Sequence, residues 1–258
     1  MTTPPRVALI TGASRGLGAV IARVLAERGY DLVLNARDAG PLDEAAAALR
    51  APGRNVVAVA GDITDATVRA RLVGGARELG GLDRLVNNAS ELGVIGPLAS
   101  LDIARFARVM QVNAGAPLVL IQLAIPLLAA RRGLVVNITS DAAQGAYAGW
   151  GAYGASKAAL ELLTRTLAAE LRGLDRGGVS AVIVDPGDMR TRMHQDAFPG
   201  EDIADRPLPD VTVPFWNWLF DQNPRDVSGE RFAAQLEDPR WQVQSDPLQM
   251  EREASAER

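Results

Sequence analysis

Tyr153 and Lys157 stand four residues apart at the start of an apolar helical stretch, so both side chains share one helix face. A phenol titrates near 10 in water, too high to exchange protons readily at neutral pH. A neighbouring ammonium favours the phenolate, so Lys157 is expected to lower the Tyr153 pKa and suit it to acid–base chemistry. Ser140 lies thirteen residues upstream of Tyr153, at the end of a strand-like run. A hydroxyl in that place can hydrogen-bond a carbonyl oxygen and stabilise the charge that develops on it. Taken alone, the tyrosine and lysine also read as a surface pair, and the serine as a turn cap. Their chemistry depends on a fold that brings them together.

That fold is written in alternating runs. Strand-like segments are expected at 7–11, 31–36, 55–60, 82–87, 132–139 and 178–184, with helices at 17–29, 41–51, 64–79, 101–131 and 151–173. Short apolar strands separated by helix-length segments imply crossover connections and a parallel sheet with helices on both faces. The fold class is therefore α/β, a single doubly wound Rossmann-type domain over 1–236, followed by a polar tail over 237–258. Pro117 and Pro126 fall inside the 101–131 helix, which is expected to be bent or broken there.

The first strand runs into "TGASRGLG" at 11–18. Three glycines there let the backbone approach a ligand closely, and a following helix would aim its N-terminus at the same point. Free N–H groups and the positive end of the helix dipole favour an anion, most often a phosphate. A tight turn with no ligand is the plainer alternative.

Composition narrows the classes. The chain has 258 residues, 48% of them hydrophobic and 22% charged, which suits a soluble globular protein. The net charge of −4 argues against nucleic acid or an anionic membrane as the main partner. There is no cysteine, hence no disulfide, thiolate metal site or cysteine nucleophile, and a lone histidine, His194, suggests no metal site. "LVLIQLAIPLLAA" stops at Arg131 and is too short to span a bilayer, and no secretion signal precedes the first strand. A cytoplasmic location is expected.

Four further segments, "GDIT" at 61–64, "LVNNAS" at 85–90, "NITS" at 137–140 and "YGASK" at 153–157, occur in order after the glycine turn. Together they resemble the short-chain dehydrogenase/reductase family, classical type, over about residues 6 to 195. The resemblance implies a nicotinamide-dependent oxidoreductase. It makes Ser140, Tyr153, Lys157 and Asn113 the catalytic set, with Asn113 supporting a proton relay to Lys157 through water. It also implies that Gly12, Ser14, Arg15, Gly16, Leu17 and Gly18 hold the dinucleotide. Asp62 and Ile63 would line the adenine. Asn88, Ala89, Pro186, Gly187 and Thr191 would lie beside the cofactor, as would Tyr153 and Lys157.

The choice of cofactor rests on the second strand, which ends "LVLNARD". A carboxylate at its end binds a ribose 2′-hydroxyl, whereas an arginine binds a 2′-phosphate. Ala36 occupies the acid position and Arg37 follows, with Arg15 inside the glycine turn, so NADP(H) is favoured over NAD(H). Asp38 is the rival acid, judged to lie too far along the loop. The 188–222 region, with Met189, Met193, Phe198, Phe215, Trp216 and Trp218, is expected to cover a small-molecule carbonyl or alcohol substrate or to pack onto the sheet. Tyr147 and Trp150 are candidates for the same pocket. "SGERFAAQLED" at 228–238 replaces the family's usual glycine-rich ending, although Arg231 to Ala234 reads as a last strand. A homodimer or homotetramer is implied by resemblance. A non-catalytic nucleotide sensor, or a lyase or epimerase on the same fold, is the alternative function.

Overall fold

The computed structural model describes residues 5–50, 53–173, 178–236 and 241. The expected tail at 237–258 lies outside the described residues except for Trp241. Seven strands form one sheet: β1 (Arg6–Thr11), β2 (Tyr30–Ala36), β3 (Val56–Ala60), β4 (Arg84–Asn87), β5 (Leu134–Ile138), β6 (Ser180–Asp185) and β7 (Arg231–Ala233). Their order is β3-β2-β1-β4-β5-β6-β7, and every pairing is parallel. The seventh strand falls where Arg231 to Ala234 suggested it.

The central strands are continuous apolar runs because both faces are covered. Alternate residues of β1 feed different cores: Ala8 and Ile10 pack on one side of the sheet, Val7 and Leu9 on the other. The first core holds α1 (Gly16–Glu27) and the buried Phe215 and Trp216 of α8 (Val213–Asp221). The second is closed by α3 (Ala66–Glu78), α5 (Ala116–Arg131) and α6 (Gly151–Gly173). The remaining helices are α2 (Ala39–Arg50), α4 (Ile103–Met110) and α7 (Arg192–Ala197). Phe215 and Trp216 are therefore core residues, whereas Met189, Met193 and Phe198 line the cleft described below.

The helix expected at 101–131 is neither broken nor ended by its prolines. It runs on from Ile103 to Arg131 through a wider π turn at Gln111–Gly115, in which the Ala116 N–H reaches the Gln111 carbonyl. Pro117 has no N–H to give the carbonyl four residues back, so the extra residue accommodates it at the start of α5. The turn also directs Asn113 into the interior, where it is 1% exposed. At 29 residues the whole helix is long and apolar enough to cross a membrane by length and composition, although its uninterrupted apolar run is shorter. Half of its most apolar window is buried within the fold.

The chain winds outward from β1 to β3 and then returns to place β4 on the other side of β1. This reversal opens a crevice beyond the carboxyl ends of β1 and β4, the place where such sheets bind ligands.

Candidate active site

The loops at that crevice line a cleft of about 1880 Å³, larger than a single small ligand needs and roomy enough for a dinucleotide with a substrate. Every residue proposed above for the cofactor lines it, as do Ser140, Tyr153 and Lys157. Asn113 lies behind it.

At one end the glycine turn leads into α1. Gly12 and Gly16 have φ of 66° and 56°, the left-handed region that glycine tolerates. Gly12 also has no room for a side chain, because a Cβ there would stand 2.7 Å from Asn88 Nδ2. A Cβ on Gly18 would stand 2.2 Å from the Gly12 carbonyl oxygen. Gly12 and Gly18 thus let the turn, α1 and the end of β4 approach one another. Asn88 staples this junction, its amide donating to the Thr11 carbonyl at 2.9 Å and the Gly12 carbonyl at 3.1 Å. The Thr11 hydroxyl in turn accepts from the N–H groups of Asn88 and Ala89, each at 3.0 Å. Arg15 occupies the N-cap of α1 with no side-chain cap, so the first N–H groups of α1 face the cleft without one. That end suits an anion.

Both arginines of the expected 2′-phosphate pocket are present at its rim with acidic partners. Arg15 pairs with Asp38 at 2.9 Å, and Arg37 with Glu91 at 3.1 Å. Asp38 lies in the loop after β2, beyond the acid position that Ala36 occupies, and its side chain turns back to pair with Arg15 at the cleft rim. Asp62 accepts from Thr64 N and Oγ1, each at 2.8 Å, and from Arg108 at 2.6 Å. Burial pushes its pKa up, but these bonds and the Arg108 charge outweigh that and leave it below the usual carboxylate range. Ile63 and Leu17 are both buried and line the cleft.

At the other end stand Ser140 and Tyr153. The Ser140 hydroxyl donates to Asp141 Oδ1 at 2.8 Å and accepts from Ala142 N at 3.2 Å. Tyr147 donates to the other Asp141 oxygen at 2.8 Å. The Tyr153 phenol stands near the side chains of Ser140 and Ser90, which act to lower its pKa. Lys157 Nζ donates to the Ile138 carbonyl at 2.9 Å and lies 5.6 Å from the centre of the Tyr153 ring. The π turn holds Asn113 so that its oxygen accepts from Ser90 Oγ and Glu91 N, and its amide donates to the Glu91 carbonyl and to Ser156 Oγ at 2.9 Å. The amide thus meets the residue beside Lys157. Thr191 caps α7 by accepting from His194 N at 3.2 Å and lies over Gly16, bringing the segment after β6 across the cofactor end. Pro186 and Gly187 make the turn that leads there, with Gly187 N donating to Asp185 at 3.0 Å.

The electrostatics correct one expectation. Burial pushes the Tyr153 phenol up to about 12, against the nearby Ser140 and Ser90 side chains that lower it. Asp185 and Asp141 push the same way as burial. Burial also pulls the Lys157 ammonium down to about 8, against the charges of Asp185 and Glu161. Desolvation of the charged form is the largest effect at both groups, so the expected lowering of the tyrosine is not realised.

Sequence reasoning missed Ser90, Glu91 and Arg108, whose roles depend on contacts across the cleft. It also missed a plain signal: Lys157 is the only lysine in the chain, while 26 of its 27 basic residues are arginine. Lysine stands at the one position where a compact, titratable ammonium is buried beside a phenol.

A parallel sheet with an uncapped helix end at its switch point defines a dinucleotide-binding α/β protein. Comparison with known proteins makes this specific. Residues 6–202 match the short chain dehydrogenase family, and the chain belongs to it. The human protein named dehydrogenase/reductase SDR family member 2, mitochondrial, is 35% identical over 187 residues, 72% of this chain. The match spans 66% of that protein's length, just under two-thirds. A solved short chain dehydrogenase from Salmonella enterica serovar Typhi superposes with a TM-score of 0.81 at 30% identity, covering 92% of this chain and 100% of the other. An alcohol dehydrogenase from the archaeon Thermococcus sibiricus, complexed with 5-hydroxy-NADP, superposes at 0.78 with 29% identity, covering 93% and 99%.

Proposed function

We propose that the protein is an NADP(H)-dependent oxidoreductase that interconverts a carbonyl and a secondary alcohol on a small molecule. The observation that carries this reading is the convergence of Ser140, Tyr153 and Lys157 at one end of a cleft whose other end suits a dinucleotide. NADP(H), when bound, supplies or accepts the hydride. The N-terminus of α1, Arg15 and Arg37 are the groups for its phosphates, and the NADP-derived cofactor of the archaeal relative supports the phosphorylated form.

In this reading Ser140 donates its hydrogen bond to the substrate oxygen and stabilises the charge that builds there. Tyr153, held protonated at neutral pH by burial, is poised to give its proton to that oxygen during reduction. In oxidation the same phenol must first lose its proton, a step the Lys157 ammonium favours. Asn113 and Ser156 connect this end to the interior and, through water, to Lys157.

The exposed Ile103, Leu123 and Leu162 on α4, α5 and α6 support self-association as a homodimer or homotetramer. Tyr153→Phe tests the reaction: turnover of NADPH with a carbonyl panel should fall to background while NADPH still binds. Undiminished turnover would overturn the assignment.

A further inference from the structure

Behind the cleft lies a buried ion cluster that the proposed reaction does not use. The Arg231 side chain on β7 is 2% exposed. Its Nε donates to Glu161 Oε1 at 3.0 Å, and one terminal nitrogen donates to Asp185 Oδ2 at 2.9 Å and to the Ser140 carbonyl at 3.4 Å. Glu161, one helical turn beyond Lys157, also accepts from Thr139 Oγ1 at 2.8 Å and from Arg165 at 3.3 Å. Asp185 takes the Gly187 N–H at 3.0 Å and so fixes the turn that enters the cofactor end.

These contacts gather three separate segments on one guanidinium. A buried arginine persists only when its charge is met and its donors are used. Its planar fork can meet two carboxylates at once, which an ammonium does less well. We propose that Arg231 is a positioning residue: its guanidinium locks the Ser140 end of β5, the Lys157 turn of α6 and the Asp185 end of β6 into one frame, with Glu161 and Asp185 as counter-charges shared between Arg231 and Lys157. The proposal rests on the reading above in giving Ser140 and Lys157 their catalytic roles.

The charges around Lys157 are then defined. Glu161 on its own helix and Asp185 on β6 favour the ammonium. Arg231 from β7 and Arg165 from α6 draw on those same carboxylates. Tyr153 stands beside it, with Asp141 acting on that phenol. The Asn113–Ser156 contact from the π turn is neutral. Removing a carboxylate and removing the guanidinium must therefore shift Lys157 in opposite directions, which a merely structural role for either residue would not require.

The sole lysine makes this directly measurable. Protein carrying carbon-13 and nitrogen-15 only in lysine gives one side-chain signal, followed by NMR from pH 6.5 to 10.5 in the intact chain. The wild-type midpoint is expected near 8. Glu161→Gln should lower it and Arg231→Met should raise it, each by about half a unit or more. Shifts in the same direction, or no shift in either variant, would overturn the proposal. Should Arg231→Met fail to fold, Glu161→Gln decides alone: a lowered midpoint supports the proposal and an unchanged one refutes it. In turnover assays Arg231→Met should lose about tenfold or more in kcat with NADPH affinity kept, and Arg231→Lys should recover part of that loss. Equal kcat in wild type and Arg231→Met would also refute it. The NMR arm needs no turnover, so a wild type that reduces no carbonyl refutes the reaction and not the ion cluster.

Discussion

The buried lysine makes a prediction about stability at alkaline pH. In the folded chain the Lys157 ammonium titrates near 8, against 10.5 for its ordinary value. Below pH 8 the group is charged in both states, and burying that charge costs the folded state its full penalty. Between 8 and 10.5 the folded chain binds fewer protons than the unfolded one, so stability rises with pH across this window. A gap of this size amounts to about 2 to 3 kcal/mol gained between pH 7 and 10. The window is free of other lysine and cysteine side chains, since the chain has neither. Tyr153 acts in the opposite sense from about pH 9 upward, as the unfolded phenol ionises before the folded one, and this effect is shared by wild type and Lys157→Met. Urea unfolding at half-unit pH steps, on wild type and Lys157→Met, isolates the effect. The difference between the two proteins should move in favour of wild type by about 2 to 3 kcal/mol as pH rises. A difference that stays flat from pH 7 to 10 would refute the claim that a charged Lys157 is buried at neutral pH.

Phe215 is fully buried and packs edge-on to Trp216 at 5.0 Å, with Trp218 and Phe232 also in contact, so Phe215→Ala should cost about 3 to 5 kcal/mol in a denaturant melt. Gly18→Ala places a methyl 2.2 Å from the Gly12 carbonyl oxygen, which cannot move without opening the glycine turn; isothermal titration should show NADPH binding lost and a melt should show about 1 to 3 kcal/mol of destabilisation. Asp38→Asn frees Arg15 from its 2.9 Å ion pair, so NADPH should bind several-fold tighter while NADH changes little. Both affinities can be read from nicotinamide fluorescence.

The sheet was legible because parallel strands covered on both faces appear as unbroken runs such as Val7 to Ile10 and Val182 to Val184. Helix positions followed from what lies between those runs, with ends displaced by a few residues. The π turn was not legible. Pro117 signals only that a hydrogen bond is missing, and whether the helix breaks or widens depends on what Asn113 finds in the interior. Ser140, Tyr153 and Lys157 were picked out by the resemblance of their motifs and do meet in one cleft, but the direction of the Tyr153 pKa was not legible. That direction is set by burial of the phenol, with Asp185 acting the same way, and neither is contained in the local Tyr–Lys spacing. Arg231 meets Glu161 and Asp185 across 70 and 46 residues, a pairing that no local pattern contains.

The central claim is that this cleft holds a phosphorylated nicotinamide dinucleotide beside a Ser–Tyr–Lys site. Its most direct test is a fluorescence titration of the purified protein with NADPH and, in parallel, NADH, using both tryptophan quenching and nicotinamide emission. Saturable binding is expected with NADPH at least tenfold tighter, a difference of about 1.4 kcal/mol that one charge-assisted arginine–phosphate contact can supply. Tighter binding of NADH, or binding of neither, would contradict it.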